Sequence, residues 1–262
     1  MTKKNKILTI FFSVFAGVVL LVILSSTLFS VKTISVSWES EKNVLSSTLD
    51  SDIIEKSNIK TGTNVFFVSK TNGQNNIEKN FPYIKILNIE TKFPNKIIIH
   101  AIERNEVFAF QKDDKYYITD SDLKVLRVES GDYVSNKDNP IKILSYECEE
   151  AFSGDFLNAP KNFDAIKTLE SSFCQNYEQE NQAIALVDML AMFSEITVFE
   201  DKMLIKYCDG VNIAIYAPTI NQQKKIAMAL YMLDNELSVD EKKTGTISVI
   251  TKDGKIVGSY KQ

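Results

Sequence analysis

Residues 81–110 read FPYIKILNIETKFPNKIIIHAIERNEVFAF, and this stretch decides how the first part of the chain folds. It holds two Phe-Pro pairs, although the whole chain has only 5 prolines. A residue that precedes proline avoids helical geometry, so Phe81-Pro82 is expected to end a short helix over 74–80. Residues 84–90 and 97–104 then predict two strands, and the second Phe-Pro pair lies in the turn between them. We expect both phenylalanines to pack beneath the turns that their prolines fix.

The residues before this stretch complete a small α+β module. In residues 31–38 an apolar face alternates with a polar one, which is typical of a strand. Asp50 or Ser51 can cap a helix that carries Ile53, Ile54 and Ile59. The predicted order over 31–104 is therefore β-α-α-β-β, with two short helices covering one face of a three-stranded sheet.

The N-terminus predicts a membrane anchor. Lys3, Lys4 and Lys6 precede an uncharged run from Ile7 to Phe29. As a helix this run would be roughly 35 Å long, which is enough to span the hydrocarbon core of a bilayer. A cleaved signal peptide would have an apolar region of about 7–15 residues and a small-residue cleavage site after it. We therefore expect a cytoplasmic tail over 1–6, a transmembrane helix over 7–29, and a single-pass cell-membrane protein whose bulk is extracytoplasmic.

The remainder, residues 105–262, predicts a β-rich domain with two or three helices. Asn162 is positioned to cap one helix, residues 184–193 fit a helix or a strand equally well, and residues 132–183 as a whole follow no pattern that places them. Near the end, Asp253-Gly254 is a two-residue hairpin signal between two strand patterns.

Candidate catalytic and metal-binding groups are few. The chain has 1 histidine and 3 cysteines, and no nucleophile, zinc or phosphate-loop motif surrounds any of them. His100 alternates with isoleucines, which favours a structural strand residue over a catalytic base. Glu103-Arg104 is interpreted as a surface ion pair. We expect no enzyme activity, no cofactor and no metal, and the net charge of -4 argues against nucleic acid as a partner.

The remaining function class is binding, and the last strand is the candidate surface. An exposed strand can accept a partner strand through backbone hydrogen bonds. The last strand pattern makes this a candidate partner-binding segment, which comprises Lys255, Ile256, Val257, Gly258, Ser259 and Tyr260. The same strand could instead lie inside the sheet, and the sequence does not decide between these positions.

Several ordered segments resemble the FtsQ/DivIB family of bacterial cell division proteins. The segments that carry the resemblance are 52–54, 59–66, 81–84, 93–97, 99–104 and 116–120. The chain departs from the family pattern at Glu106, where proline is usual, and at Asp122-Leu123, where glycine is expected. The resemblance implies a short cytoplasmic tail, one membrane helix, a POTRA domain over 30–104 and a β domain after it.

The resemblance also implies a function. Such proteins act without catalysis as bitopic scaffolds of the divisome at the division septum. They bind two small bitopic partners, FtsL-like and FtsB/DivIC-like, and help regulate septal peptidoglycan synthesis. The partner strand adds near the last strands of the β domain, which points to residues 255–260 here. The alternatives are another membrane-tethered extracytoplasmic binding protein, such as an envelope sensor or a secretion or assembly factor, and a cell-wall hydrolase.

Overall fold

The structure is a computed structural model that divides into two compact units, residues 1–104 and 105–262. It describes residues 11, 14–17, 27–39, 48–131, 140–144, 149–158, 163–176, 182–208 and 210–262, without the side chains of 182–185. The predicted membrane segment 7–29 lies largely outside these residues; residues 11, 14–17 and 27–28 of it are described and are helical. None of the described helices has both the length and the apolar character needed to cross a bilayer.

The first unit has a three-stranded sheet with two α-helices. Its elements are β1 (Thr33–Trp38), α1 (Asp50–Lys56), α2 (Lys70–Asn80), β2 (Ile84–Lys92) and β3 (Lys96–Glu103). The strand order is β1-β3-β2, with β3 parallel to β1 and antiparallel to β2. The predicted β-α-α-β-β order is confirmed.

The buried core of this unit shows how its two helices pack on one face of the sheet. Ile53 of α1 and Ile77 of α2 are fully buried against Ile84, Ile97 and Ile99 of the sheet. Alternate residues of a strand point to one face, so the buried isoleucines of β3 meet the helices while its other residues face away.

The details at the helix ends differ from the prediction. The N-cap residue of α1 is Leu49, and no side chain caps the helix, so capping by Asp50 or Ser51 is wrong. Ile59 lies beyond the end of α1, and α2 begins at Lys70 rather than at residue 74. As predicted, α2 ends before Phe81, which is its C-cap residue.

The two Phe-Pro pairs behave differently. Phe81 is half-buried and packs against the core, as expected. Phe93 is 58% exposed, so the expectation that it packs beneath its turn is wrong. The last register pair of the hairpin is Lys92 with Lys96, and Phe93 lies in the connection beyond it, past the end of the covered sheet.

The second unit is built on a nine-stranded sheet. Its strands are β4 (Phe108–Lys112), β5 (Lys115–Thr119), β6 (Val125–Ser130), β7 (Ile141–Leu144), β8 (Phe193–Val198), β9 (Lys202–Tyr207), β10 (Asn212–Tyr216), β11 (Thr246–Lys252) and β12 (Lys255–Lys261). The spatial order is β12-β11-β10-β9-β8-β7-β4-β5-β6. Three of its pairs are parallel: β4 with β7, β7 with β8, and β10 with β11.

The described part of this unit contains four α-helices, where two or three were predicted. They are α3 (Asp164–Lys167), α4 (Leu169–Cys174), α5 (Gln182–Met192) and α6 (Gln222–Asn235). The first two arise because one predicted helix is interrupted at Thr168. The ambiguous run 184–193 is helical up to Met192, and Phe193 begins β8. The cap predicted at Asn162 lies outside the described residues.

Candidate functional site

The candidate site is β12, which lies at one end of the nine-stranded sheet. It pairs antiparallel with β11, and the register opposes Lys252 to Lys255 across a two-residue turn. The turn residues Asp253 and Gly254 both have positive φ, at 50° and 74°. Two positive φ values define the tight hairpin turn whose twist matches that of the strands, so the hairpin signal in the sequence is confirmed.

One face of β12 is held closely by α6. A Cβ atom added to Gly258 would lie 2.2 Å from the Sδ atom of Met232, so only glycine permits this approach. The hydroxyl group of Tyr260 lies 3.2 Å from the carbonyl oxygens of both Glu241 and Thr244. The sequence predicts this strand, but not the helix and the loop that its inward-facing residues contact.

The edge of β12 presents backbone groups outward. In a two-residue hairpin, the pair that flanks the turn is hydrogen-bonded, and such pairs recur at every second position. The N–H and C=O groups of Lys255, Val257 and Ser259 therefore point toward β11. Those of Ile256, Gly258 and Tyr260 point away from the sheet, and no other described strand pairs with them.

The solvent-facing side chains of this strand combine apolar and basic character. Val257 is 40% exposed, and it lies opposite Ile250 of β11, which is 37% exposed. Lys255 and Lys261 flank it on the same face of the strand and are exposed. A partner strand with an apolar residue near Val257 and acidic residues near its ends would match this surface.

The opposite end of the sheet is covered in part by the chain itself. At β6, the N–H of Val125 donates to the carbonyl of Asp155, and its own carbonyl accepts from Gly154, both at 2.8 Å. Ser153 donates its hydroxyl to the carbonyl of Leu126. No described segment forms comparable bonds with the outer edge of β12. Within the described part of the chain, β12 is therefore the more accessible of the two sheet ends to a partner strand.

His100 lies in the first unit and joins two carboxylates. Its Nδ1 atom is 2.6 Å from Glu39 Oε1, and its Nε2 atom is 3.2 Å from Glu90 Oε2. These hydrogen bonds raise the pKa of His100 above its ordinary value, since both stabilise the imidazolium. The group links β3 to the end of β1 and to β2, which suits the structural role expected for it.

Glu103 and Arg104 are not on the surface, so their interpretation as a surface ion pair is wrong. Both are buried, with 6% and 4% of their surface exposed. Arg104 Nη2 lies 3.1 Å from Glu78 Oε2 of α2. This partner is 26 residues away along the chain, so the residues around the strand end do not predict it.

The described residues contain no group of three or more His, Cys, Asp or Glu side chains that could hold a metal ion. Cys174 is a free thiol, and Cys148 lies outside the described residues. Burial raises the pKa of the Cys174 thiol, which disfavours the reactive thiolate.

The fold of the first unit defines the class of protein. Residues 29–104 match the family model described as POTRA domain, FtsQ-type. This range contains every strand and helix of the three-stranded module and ends at Arg104.

The relatives define the family. The chain is 31% identical over 209 residues to the cell division protein DivIB of Clostridium tetani, covering 78% of this chain and 72% of the relative. It is 34% identical over 117 residues to DivIB of Clostridium botulinum, covering 45% of this chain and 44% of the relative. The chain belongs to the FtsQ/DivIB family of bacterial cell division proteins.

One solved structure is also similar, the major extracytoplasmic domain of the trans isomer of DivIB from Geobacillus stearothermophilus. The likeness has 13% sequence identity and a TM-score of 0.28, and it covers 52% of this chain and 98% of that one. A superposition at this level does not bear on the topology described above.

Proposed function

We propose that this protein is a non-enzymatic, single-pass membrane scaffold of the division septum, which binds its partners by strand addition at β12. Its partners are FtsL-like and FtsB/DivIC-like bitopic proteins, and through them it helps to regulate septal peptidoglycan synthesis. The proposal is carried by the open edge of β12, in a chain whose relatives are cell division proteins.

Strand addition uses the outward groups of β12. A partner strand placed along this edge would bond to the N–H and C=O groups of Ile256, Gly258 and Tyr260. Each such bond contributes roughly 0.5–1.5 kcal/mol net, so affinity also depends on side chains. Val257 would supply the apolar contact, while Lys255 and Lys261 would favour an acidic partner segment.

The test compares two substitutions at Ile256 that differ in the backbone donor. Ile256→Ala removes the side chain and keeps the outward N–H; Ile256→Pro removes both. Neither affects a bond to β11, because the Ile256 N–H points away from that strand. We expect Ile256→Pro to bind the FtsL-like and DivIC-like extracytoplasmic segments of the same organism roughly two- to tenfold more weakly than Ile256→Ala, which is the loss of one such backbone bond.

Binding is measured by isothermal calorimetry on variants whose circular dichroism matches that of the wild type. Equal affinities of the alanine and proline variants would exclude backbone pairing at this edge. Wild-type protein that binds neither segment would contradict the partner assignment itself. Clean deletion is expected to give filamentous or unseparated cells, whereas an envelope sensor or assembly factor would leave septation intact.

A further inference from the structure

We propose that three phenylalanines at one end of the first unit insert into the membrane surface beside the predicted anchor. Phe66, Phe67 and Phe93 are 63%, 82% and 58% exposed. We call these three residues the aromatic patch. A cluster of large apolar side chains in solvent is unfavourable unless something covers it, and such clusters usually mark an interaction surface. The proposal is independent of strand addition at β12 and rests on the predicted membrane segment 7–29.

Two of the three patch residues, Phe66 and Phe93, contact each other and Phe29 through their rings, and Phe67 follows Phe66 directly in the chain. The ring centroids of Phe66 and Phe93 are 5.6 Å apart, and that of Phe29 is 5.2 Å and 6.2 Å from them. These distances fall within the range in which aromatic pairs attract each other.

Backbone hydrogen bonds hold the same three segments together. The N–H of Val65 donates to the carbonyl of Phe29 at 2.8 Å, and the N–H of Lys32 donates to the carbonyl of Asn95 at 2.8 Å. The loop before Val65, the turn around Phe93 and the first residues of the unit therefore meet at one place. The patch is a fixed part of the fold.

Chain continuity identifies the bilayer as the cover of the patch. Phe29 is the last residue of the predicted membrane segment, which begins at Ile7. If this segment spans the membrane as a helix, Phe29 emerges at the membrane surface, and the rings that touch it lie within a few ångströms of the lipid. Amphipathic surfaces of this kind bury their apolar groups about 5–10 Å into the headgroup and acyl boundary.

The surrounding charges fit a membrane surface. Lys32 and Lys92 are exposed next to the segments that form the patch. Lysine side chains at such positions can keep their ammonium groups in water while their methylene stems lie along the apolar surface. Glu90, two residues before Lys92, is engaged by His100 on the sheet.

The test uses the full-length chain reconstituted into phosphatidylcholine vesicles and depth-dependent quenching of tryptophan by brominated acyl chains. The chain has 1 tryptophan, Trp38, at the far end of β1. Five residues of extended strand separate it from Thr33 by about 17 Å, so in the wild type it reports a position away from the patch. In the test variant, Trp38→Phe is combined with Phe67→Trp, which places the reporter in the patch.

A matched control places the reporter on an exposed apolar position of the same unit. Leu87 of β2 is 46% exposed and lies several residues from the Phe93 turn, so Trp38→Phe with Leu87→Trp serves this purpose. We expect tryptophan at position 67 to emit at shorter wavelength and to lose more emission to bromines near the headgroup than to deeper ones. Tryptophans at positions 38 and 87 should lose little emission to bromines at any depth.

Three outcomes would overturn the proposal. The first is quenching at position 67 that is no greater than at 38 and 87. The second is a short-wavelength emission at 67 without quenching, which would mean that a protein surface covers the patch. The third is a chain that does not float with the vesicles at all, because the membrane segment would then be wrong.

Discussion

The ion pair between Glu78 and Arg104 provides the sharpest test of how the first unit is held together. Glu78 Oε2 lies 3.1 Å from Arg104 Nη2, and the two residues are 8% and 4% exposed. Glu78 Oε1 also accepts hydrogen bonds from the N–H of Ile86 at 2.9 Å and from Gln74 at 3.2 Å. One carboxylate therefore ties α2 to the start of β2 and to the end of β3.

We predict that Glu78→Ala destabilises this unit by about 3–5 kcal/mol, because it removes a buried carboxylate that pairs with the buried guanidinium of Arg104. The loss is a large share of the 5–15 kcal/mol that typically separates folded from unfolded domains. With a urea m-value of about 2 kcal/mol/M, the unfolding midpoint falls by about 2 M.

The assay is urea titration of the chain from Phe29 onward, followed by the emission of Trp38. Because Trp38 is the single tryptophan, its signal reports the first unit even if the second unfolds separately. The matched control is Glu55→Ala, which removes an exposed carboxylate paired with Lys56 at 3.8 Å and should cost less than about 1 kcal/mol. A Glu78→Ala midpoint no lower than that of Glu55→Ala would refute the reasoning.

Two further predictions concern single residues in each unit. Because Glu39 and Glu90 raise the pKa of His100 above 6.5, their stabilisation of the first unit is fully present below about pH 6.5 and is lost as pH rises through the folded-state pKa. In His100→Gln, the free energy of unfolding from urea titrations should vary less with pH than in the wild type. An unchanged variation with pH would contradict this prediction. Gly258→Val should destabilise the second unit by about 1–3 kcal/mol, because the new side chain overpacks against Met232. Adding Met232→Ala to this variant should restore part of the lost stability, measured by thermal unfolding. A double variant as unstable as Gly258→Val would exclude the contact.

The first unit was largely predictable because its signals are local. Alternation along β3 and the break at Phe81-Pro82 are both properties of neighbouring residues. The exposure of Phe93 and the burial of Glu103 and Arg104 depend on residues brought together by folding, and the predictions for these residues were wrong. The sequence does not decide between helix and strand for α5, because nearly all of residues 184–193 are apolar, which removes the periodicity that separates the two.

The second unit was predictable as a set of strands but not as a sheet. Its order places β7 between β4 and β8 and joins β10 to β11 in parallel. Parallel neighbours need long connections, so their pairing leaves no signal in adjacent residues. The hairpin of β11 and β12 is the exception, since its two-residue turn specifies both partners.

The packing of β12 bears directly on how it would bind a partner strand. A free edge strand must be ordered when a partner adds, and this ordering opposes binding. Here Gly258 lies against Met232, and the hydroxyl of Tyr260 reaches the carbonyl of Glu241, so the inner face of the strand is already fixed. The outward groups of Ile256, Gly258 and Tyr260 are thereby presented in one register before any partner arrives. Substitutions that loosen the inner face, such as Tyr260→Phe, should then weaken partner binding even though the outward backbone is unchanged.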